Sequence, residues 1–214
     1  MFGKIREIKQ GLDKIRTGWQ KRNIAEEIAE TIRQHSKKVE KAARIYGEHF
    51  PDIDQNKLIK MAKIHDIAEY KEKDYVPGEI SPEEKHEREK AVVLELQESL
   101  GEKGSELFDL WMEFEKQETK EAQIVKQLDQ LDASVQAMEY EKLGYDNVKN
   151  FYPYTLERLR DPVLIKVLEI LLKKEFTAIN AYDQYFTLLE CNGDDIIFKE
   201  KMKKMFLKRN LIGV

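Results

Sequence analysis

The sequence predicts an all-α fold, and three observations predict it. Hydrophobic residues make up 41% of the 214-residue chain and charged residues 36%, a balance that suits helices with one apolar and one charged face. Only 10 glycines and 5 prolines interrupt the chain, which leaves room for long helices. Apolar residues recur at helical spacing, and no stretch carries the alternating pattern of a strand.

Taken in order, residues 3–15 read as a first short helix, broken at Arg16-Thr17-Gly18-Trp19 by a glycine that disfavours helix interiors. A long helix is expected over about 25–48, with Ile28, Ile32, Val39, Ala43 and Tyr46 on its apolar face, ending at Phe50-Pro51-Asp52. Asp54 can cap the next, about 55–71, whose Leu58, Met61, Ala62 and Ile64 suit a core. Two prolines and a glycine make 73–82 a loop. Ser81-Pro82 then starts a helix that reaches about Leu100, where Gly101 and Gly104 interrupt. Further helices are expected at about 105–116, 119–142 (ended by Gly144), from Asp161-Pro162 to about 188, and 195–209 after Asn192-Gly193-Asp194.

The length fits one domain with an added helical segment. A formal net charge of −4 argues against non-specific nucleic-acid binding, while leaving room for a small basic pocket. The single cysteine, Cys191, excludes an intramolecular disulfide and reads as a small buried apolar residue rather than a nucleophile. Met1-Phe2-Gly3-Lys4 opens a charged stretch without a signal-peptide core, and no run approaches the roughly 18 apolar residues of a membrane span. A cytoplasmic location without membrane association is the expectation.

Of the four histidines, His65 is the informative one. It is followed by Asp66 within an otherwise apolar segment that also holds Glu69. Read as helix, residues 65 and 69 share a face and residue 66 lies about 100° round from 65. Burying these three groups is costly unless a cation compensates them, and imidazole with carboxylate suits Mn, Co, Zn, Fe or Ni. Taken alone, the doublet reads more simply as a solvated face with one satisfied core histidine. Two further residues bear on it: Asp129, among the leucines of Leu128-Asp129-Gln130-Leu131, and His35, within Thr31-Ile32-Arg33-Gln34-His35-Ser36. In order they give H…HD…D.

That pattern resembles the HD-domain superfamily of metal-dependent phosphohydrolases, and more narrowly its 5′-deoxynucleotidase-like branch. Several segments carry the resemblance over about 11–150: Arg16-Thr17-Gly18-Trp19 with Arg22-Asn23; Glu30-Thr31-Ile32-Arg33-Gln34-His35; His65-Asp66-Ile67-Ala68-Glu69 with Asp74; Leu110-Trp111-Met112-Glu113-Phe114-Glu115; Val125-Lys126-Gln127-Leu128-Asp129; and Gln136-Ala137-Met138-Glu139-Tyr140. Two departures stand out. Lys73-Asp74-Tyr75-Val76-Pro77 replaces a Gly-Asp-containing turn. Gly18 stands where bacterial members carry an Arg, which would shift phosphate contact to Arg16 or Arg22.

The resemblance implies an HD-domain helical bundle over 1–214, with additional C-terminal helices over about 151–214. It implies one divalent metal ion (Mn, Co, Mg, Zn, Fe or Ni) held by His35, His65, Asp66 and Asp129. Glu69 and Asp74 would be the catalytic carboxylates; the plain reading of Glu69 is a helix-surface acid. Arg16 and Arg22 would bind phosphate, and Trp19 would stack on a base or wall off the sugar, against a plain reading as core. Lys126 is expected to point to solvent, Trp111 and Phe114 to lie in the core, and His49 and His86 to be exposed or structural. The implied activity is hydrolysis of (deoxy)nucleoside 5′-monophosphates, with a homodimer as a further implication. Two alternatives stay open. One is an HD hydrolase of a nucleoside triphosphate, cyclic nucleotide or guanosine tetraphosphate. The other is a non-catalytic helical protein with a structural metal, whose lysine-rich stretch Lys199 to Arg209 would meet an acidic partner.

Overall fold

The computed structural model describes residues 2–212, and the side chains of 3–208; Met1 and the side chain of Arg209 lie outside the described residues. The chain order is α1 (Phe2–Gly11), α2 (Thr17–Gln20), α3 (Ile32–Gly47), α4 (Gln55–Ile64), α5 (Pro82–Leu100), α6 (Glu102–Lys116), α7 (Lys120–Lys142), α8 (Phe151–Leu156), α9 (Pro162–Leu172), α10 (Ala181–Glu190) and α11 (Asp195–Ile212). Two 3₁₀ turns, Ile67–Tyr70 and Asp146–Val148, complete it. Among the described residues the fold is all-α, with one isolated bridge between Ile15 and Thr31. No described helix is long and apolar enough to cross a membrane.

α7 is the central helix, packed against α3, α4, α6, α8, α9 and α10. Its Val125, Leu128, Leu131 and Val135 are fully buried. Removing a side chain of that size from water stabilises by about 1.5–3 kcal/mol. The same core runs on through Leu164, Leu168, Tyr185 and Leu188, so α9 and α10 continue it. A second core joins Ile8 and Leu12 with Ile67, Tyr70, Val93, Leu96 and Trp111. It clamps the 3₁₀ turn 67–70 between α1, α5 and α6. Gly11 makes the clamp close: a Cβ there would meet the carbonyl oxygen of Tyr70.

Several expected boundaries move. The long third helix starts at Ile32 rather than 25, because Thr31 and Gln34 close a capping box, each side chain accepting from the other's backbone N–H. Ile28, expected in the core, is consequently exposed. Arg16-Thr17-Gly18-Trp19 is not only a break, for α2 begins within it. α6 starts at Glu102 and keeps Gly104 inside, where a Cβ would lie 2.6 Å from the carbonyl oxygens of Leu96 and Gln97. The helix expected from 162 to 188 is two, separated at a left-handed Lys174 (φ 54°) and re-capped by Asn180. α8, with Pro153 inside it, was not anticipated.

The most consequential change is at His65. The helix expected over 55–71 ends at Ile64, and His65 is its C-cap. Asp66 leaves helical geometry (φ −99°, ψ 21°), and a 3₁₀ turn follows. The helical-wheel relation expected among residues 65, 66 and 69 therefore does not hold. A bend places them instead.

Candidate metal centre and adjoining cleft

Three segments deliver the chemistry. α3 brings His35, the end of α4 brings His65 and Asp66, and α7 brings Asp129. His35 Nε2 lies 3.3 Å from His65 Nε2, 3.1 Å from Asp129 Oδ1 and 3.7 Å from Asp66 Oδ2. His65 Nε2 lies 3.3 Å from Asp66 Oδ2 and 4.0 Å from Asp129 Oδ1. Donors about 2.1 Å from one ion stand about 3.0 Å apart at a right angle and about 3.4 Å apart at a tetrahedral one. The observed spacings run from 3.1 to 4.0 Å, around the tetrahedral value; the ligand atoms of His35, His65 and Asp66 all lie within 4.8 Å of one another, and Asp129 joins them through the two histidines.

The tautomers suit a cation as well. His65 Nδ1 is 2.8 Å from the carbonyl oxygen of Ala62, which can only accept, so the ring hydrogen sits there and the Nε2 lone pair faces inward. His35 Nδ1 is 2.7 Å from Asp132 Oδ2, which frees its Nε2 in the same way. Asp66 Oδ2 is buried and makes no hydrogen bond. Two inward lone pairs beside two carboxylates repel one another unless a positive charge lies among them. The donor set thus fits a divalent metal, as imidazole and carboxylate fit Mn, Co, Zn, Fe or Ni.

Electrostatics follow from burial and neighbours. Burial favours the neutral form of Asp66, but His65 and His35 hold it well below the usual carboxylate range. Asp129 is likewise held low against burial, chiefly by Lys126 and His35. Burial and Arg16 pull His35 down, yet hydrogen bonds to Asp129 and Asp132 outweigh them and push it up to about 10: a proton on Nε2 is the positive charge this cluster takes when no metal supplies one, and a bound metal would displace it. Asp132, fully buried, is raised by that burial. Burial, Asp66 and Asp74 push Glu69 well above the ordinary range. Its Oε2 is buried without a hydrogen-bond partner.

A cleft of about 350 Å³ adjoins the cluster. Arg16, Trp19, Arg22, Asp74, Tyr75 and Tyr154 are among its lining. Arg16 ties cleft to cluster: Asp74, Asp66, Glu30 and Asp129 together raise it against its burial. Asp74 is anchored by the Thr17 N–H at 2.7 Å. Trp19 is almost wholly buried. Its Nε1 donates to Glu30 (3.1 Å), and Tyr140 and Phe151 pack on its ring. Arg22 donates to the Gly18 carbonyl and to Asn150 Oδ1, and its guanidinium lies 4.4 Å from the Phe151 ring centroid.

Lys126 is half exposed, as a solvent-facing lysine would be, yet its Nζ also lies 3.3 Å from Asp129 Oδ2. Trp111 and Phe114 lie in the core, His49 is exposed, and His86 is structural, bonded to Glu115 and stacked on Trp111. Sequence reasoning missed Asp132, although Asp129-x-x-Asp132 puts two acids on one helix face. It also missed Glu30 as the buried carboxylate joining Trp19, Lys38 (2.8 Å) and Arg16 (3.8 Å).

Comparison with known proteins gives the family. A model of the HD domain matches residues 10–163. The 5′-deoxynucleotidase HDDC2 of Dictyostelium discoideum is 33% identical over 81% of this chain and 93% of its own length. That of Homo sapiens is 32% identical over 78% of this chain and 81% of its own. Among solved structures, a conserved hypothetical protein from Pyrococcus furiosus is similar at a TM-score of 0.63 and 28% identity, covering 73% of this chain and 88% of that one. The HD domain implies dependence on a divalent metal. With a domain match over most of its length and relatives aligned along most of theirs, this chain belongs to the HD-domain family.

Proposed function

We propose that the protein is a divalent-metal-dependent phosphohydrolase that cleaves (deoxy)nucleoside 5′-monophosphates to nucleoside and phosphate. One observation carries the reading: ligand atoms on His35, His65 and Asp66 lie within 4.8 Å of one another, Asp129 Oδ1 stands 3.1 Å from His35 Nε2, and both imidazoles engage Nδ1 outward. The relatives named 5′-deoxynucleotidase support the substrate class. A divalent ion held by these four residues would supply Lewis-acid stabilisation of the phosphoryl charge and would acidify water.

The chain's own groups do the rest. Arg16, beside the cluster and lining the cleft, presents a guanidinium fork to phosphate. Lys126, at the Asp129 edge, adds positive charge on the cluster's other flank. Burial beside Asp66 and Asp74 favours the protonated form of Glu69, the form that would protonate the departing 5′ oxygen. Asp74, fixed by Thr17, lies where the sugar would pass. Asp132 positions His35 rather than touching substrate. Trp19 walls the cleft as part of the core. The helices beyond residue 150 belong to the same unit in this reading, since α9 and α10 share the central core.

The test is phosphate release from a panel of nucleoside and deoxynucleoside 5′-monophosphates. Activity is expected with added Mn or Co, is lost in a chelator, and is abolished in His65→Ala and Asp66→Ala. Tight metal binding without phosphate release from any of the panel would sink the enzyme reading and favour a structural metal.

A further inference from the structure

Trp19 is too enclosed to hold a nucleobase, so the aromatic surface for one has to come from elsewhere in the cleft. Its indole is 1% exposed, spends its N–H on Glu30, and is covered by Tyr140 and Phe151. Phe151 in turn is engaged twice, by the Trp19 ring at 4.8 Å and by the Arg22 guanidinium at 4.4 Å, where Tyr154 has a single such contact. Two aromatic rings lining the cleft remain partly open, Tyr75 in the connection before α5 and Tyr154 on α8. Each is held in place from outside the cleft. The Tyr75 hydroxyl donates to Glu72 at 2.8 Å and accepts from Arg88 at 2.9 Å. The Arg158 guanidinium lies 3.5 Å from the Tyr154 ring centroid.

We infer that Tyr75 and Tyr154 form the base-holding end of the cleft, with the phosphate end at Arg16, and Asp74 between them at the sugar; this rests on the nucleotide reading above. Volume, polarity and access agree. A cleft of about 350 Å³ falls at the small-ligand end of binding pockets. The buried Arg22 Nε, which has no hydrogen-bond partner, offers a donor to the base edge between the two ends. Gly18 keeps the passage open: a Cβ there would meet only Val76, at 3.9 Å, so backbone crowding does not demand the glycine, and any larger side chain would occupy the cleft instead. Stacking on aromatic faces tolerates every base, so the clamp distinguishes a nucleotide from a bare sugar phosphate rather than one base from another.

The experiment compares full-length wild type, Tyr154→Leu, Tyr154→Phe and Tyr75→Leu. Its substrates are 2′-deoxyadenosine 5′-monophosphate and 2-deoxyribose 5-phosphate, and calorimetric binding of 2′-deoxyadenosine serves as a readout independent of turnover. The ratio of the two kcat/KM values is expected to fall about tenfold in each leucine variant and to return in Tyr154→Phe, with nucleoside affinity falling in parallel. Leucine variants that keep the wild-type ratio and affinity, in a protein that does cleave the nucleotide, would overturn the clamp and leave the hydrolase reading standing. A wild type that cleaves neither compound would overturn the hydrolase reading, and the clamp with it.

Discussion

The Nε2 atoms of His35 and His65 face each other across 3.3 Å, while each ring's Nδ1 is engaged outward, on Asp132 and on the Ala62 carbonyl. Two basic nitrogens so placed call for a positive charge between them, a proton or a metal ion. Most of the testable behaviour of the site follows from what holds these rings.

Asp132 is the first such support. It is fully buried and reaches only the far side of His35, so it acts through that ring. Asp132→Asn keeps the size but removes the charge that favours Nδ1–H. Loss of such a partner lowers metal affinity by about 10- to 100-fold. Calorimetric titration with Mn or Co should show that loss, and an unchanged Kd would show that His35 is oriented by packing alone.

Gly11 supports the site from behind. A Cβ at this position would collide with the Tyr70 carbonyl, backbone against backbone, at the end of the turn that carries Glu69. Gly11→Ala should therefore push α1 away from that turn and destabilise the fold by about 1–3 kcal/mol. Urea denaturation reads this directly. A stability equal to wild type would mean that α1 can shift freely without disturbing the small core.

Glu89 gives the protein a pH dependence through a carboxyl that is not one of the four expected ligands, although Asp66 is among the charges that raise it. Burial pushes its carboxyl from an ordinary 4.5 up to about 7, against the pull of Lys85 at 3.3 Å. Below pH 4.5 both folded and unfolded chains hold the proton, and above 7 neither does. Between these values the folded state binds more protons, so this group's contribution to stability falls as pH rises from about 4.5 to 7. Glu89→Gln removes that dependence. Relative to wild type, the variant should gain about 3 kcal/mol between pH 4.5 and pH 8 in urea unfolding. A constant difference across that range would contradict the assignment.

How much of this was legible in the sequence can be read from particular residues. Polar groups embedded in apolar helical text stand out, which is why His65-Asp66 and Asp129 were visible. Convergence was not, because it depends on α3, α4 and α7 packing together, a property of long-range contacts. The bend at Asp66 was hidden, since no glycine or proline marks it; the Ala62 carbonyl accepts from a ring nitrogen within the last turn instead. Thr31-x-x-Gln34 has the spacing of a capping box, yet the hydrophobic repeat of Ala25 to Ala29 disguised the start. α8 escaped notice because its six residues are too few for a periodic signal. Asp132 is the instructive omission, being an i,i+3 partner of Asp129 on the buried face of the central helix.

The account stands most directly on metal stoichiometry. Chelator-stripped wild type, titrated with Mn(II) and followed by electron paramagnetic resonance of the free ion, should bind one equivalent per chain. The His65→Ala and Asp66→Ala variants should lose that tight site. Uptake of no ion by the wild type, or undiminished uptake by both variants, would contradict a centre built from these four side chains.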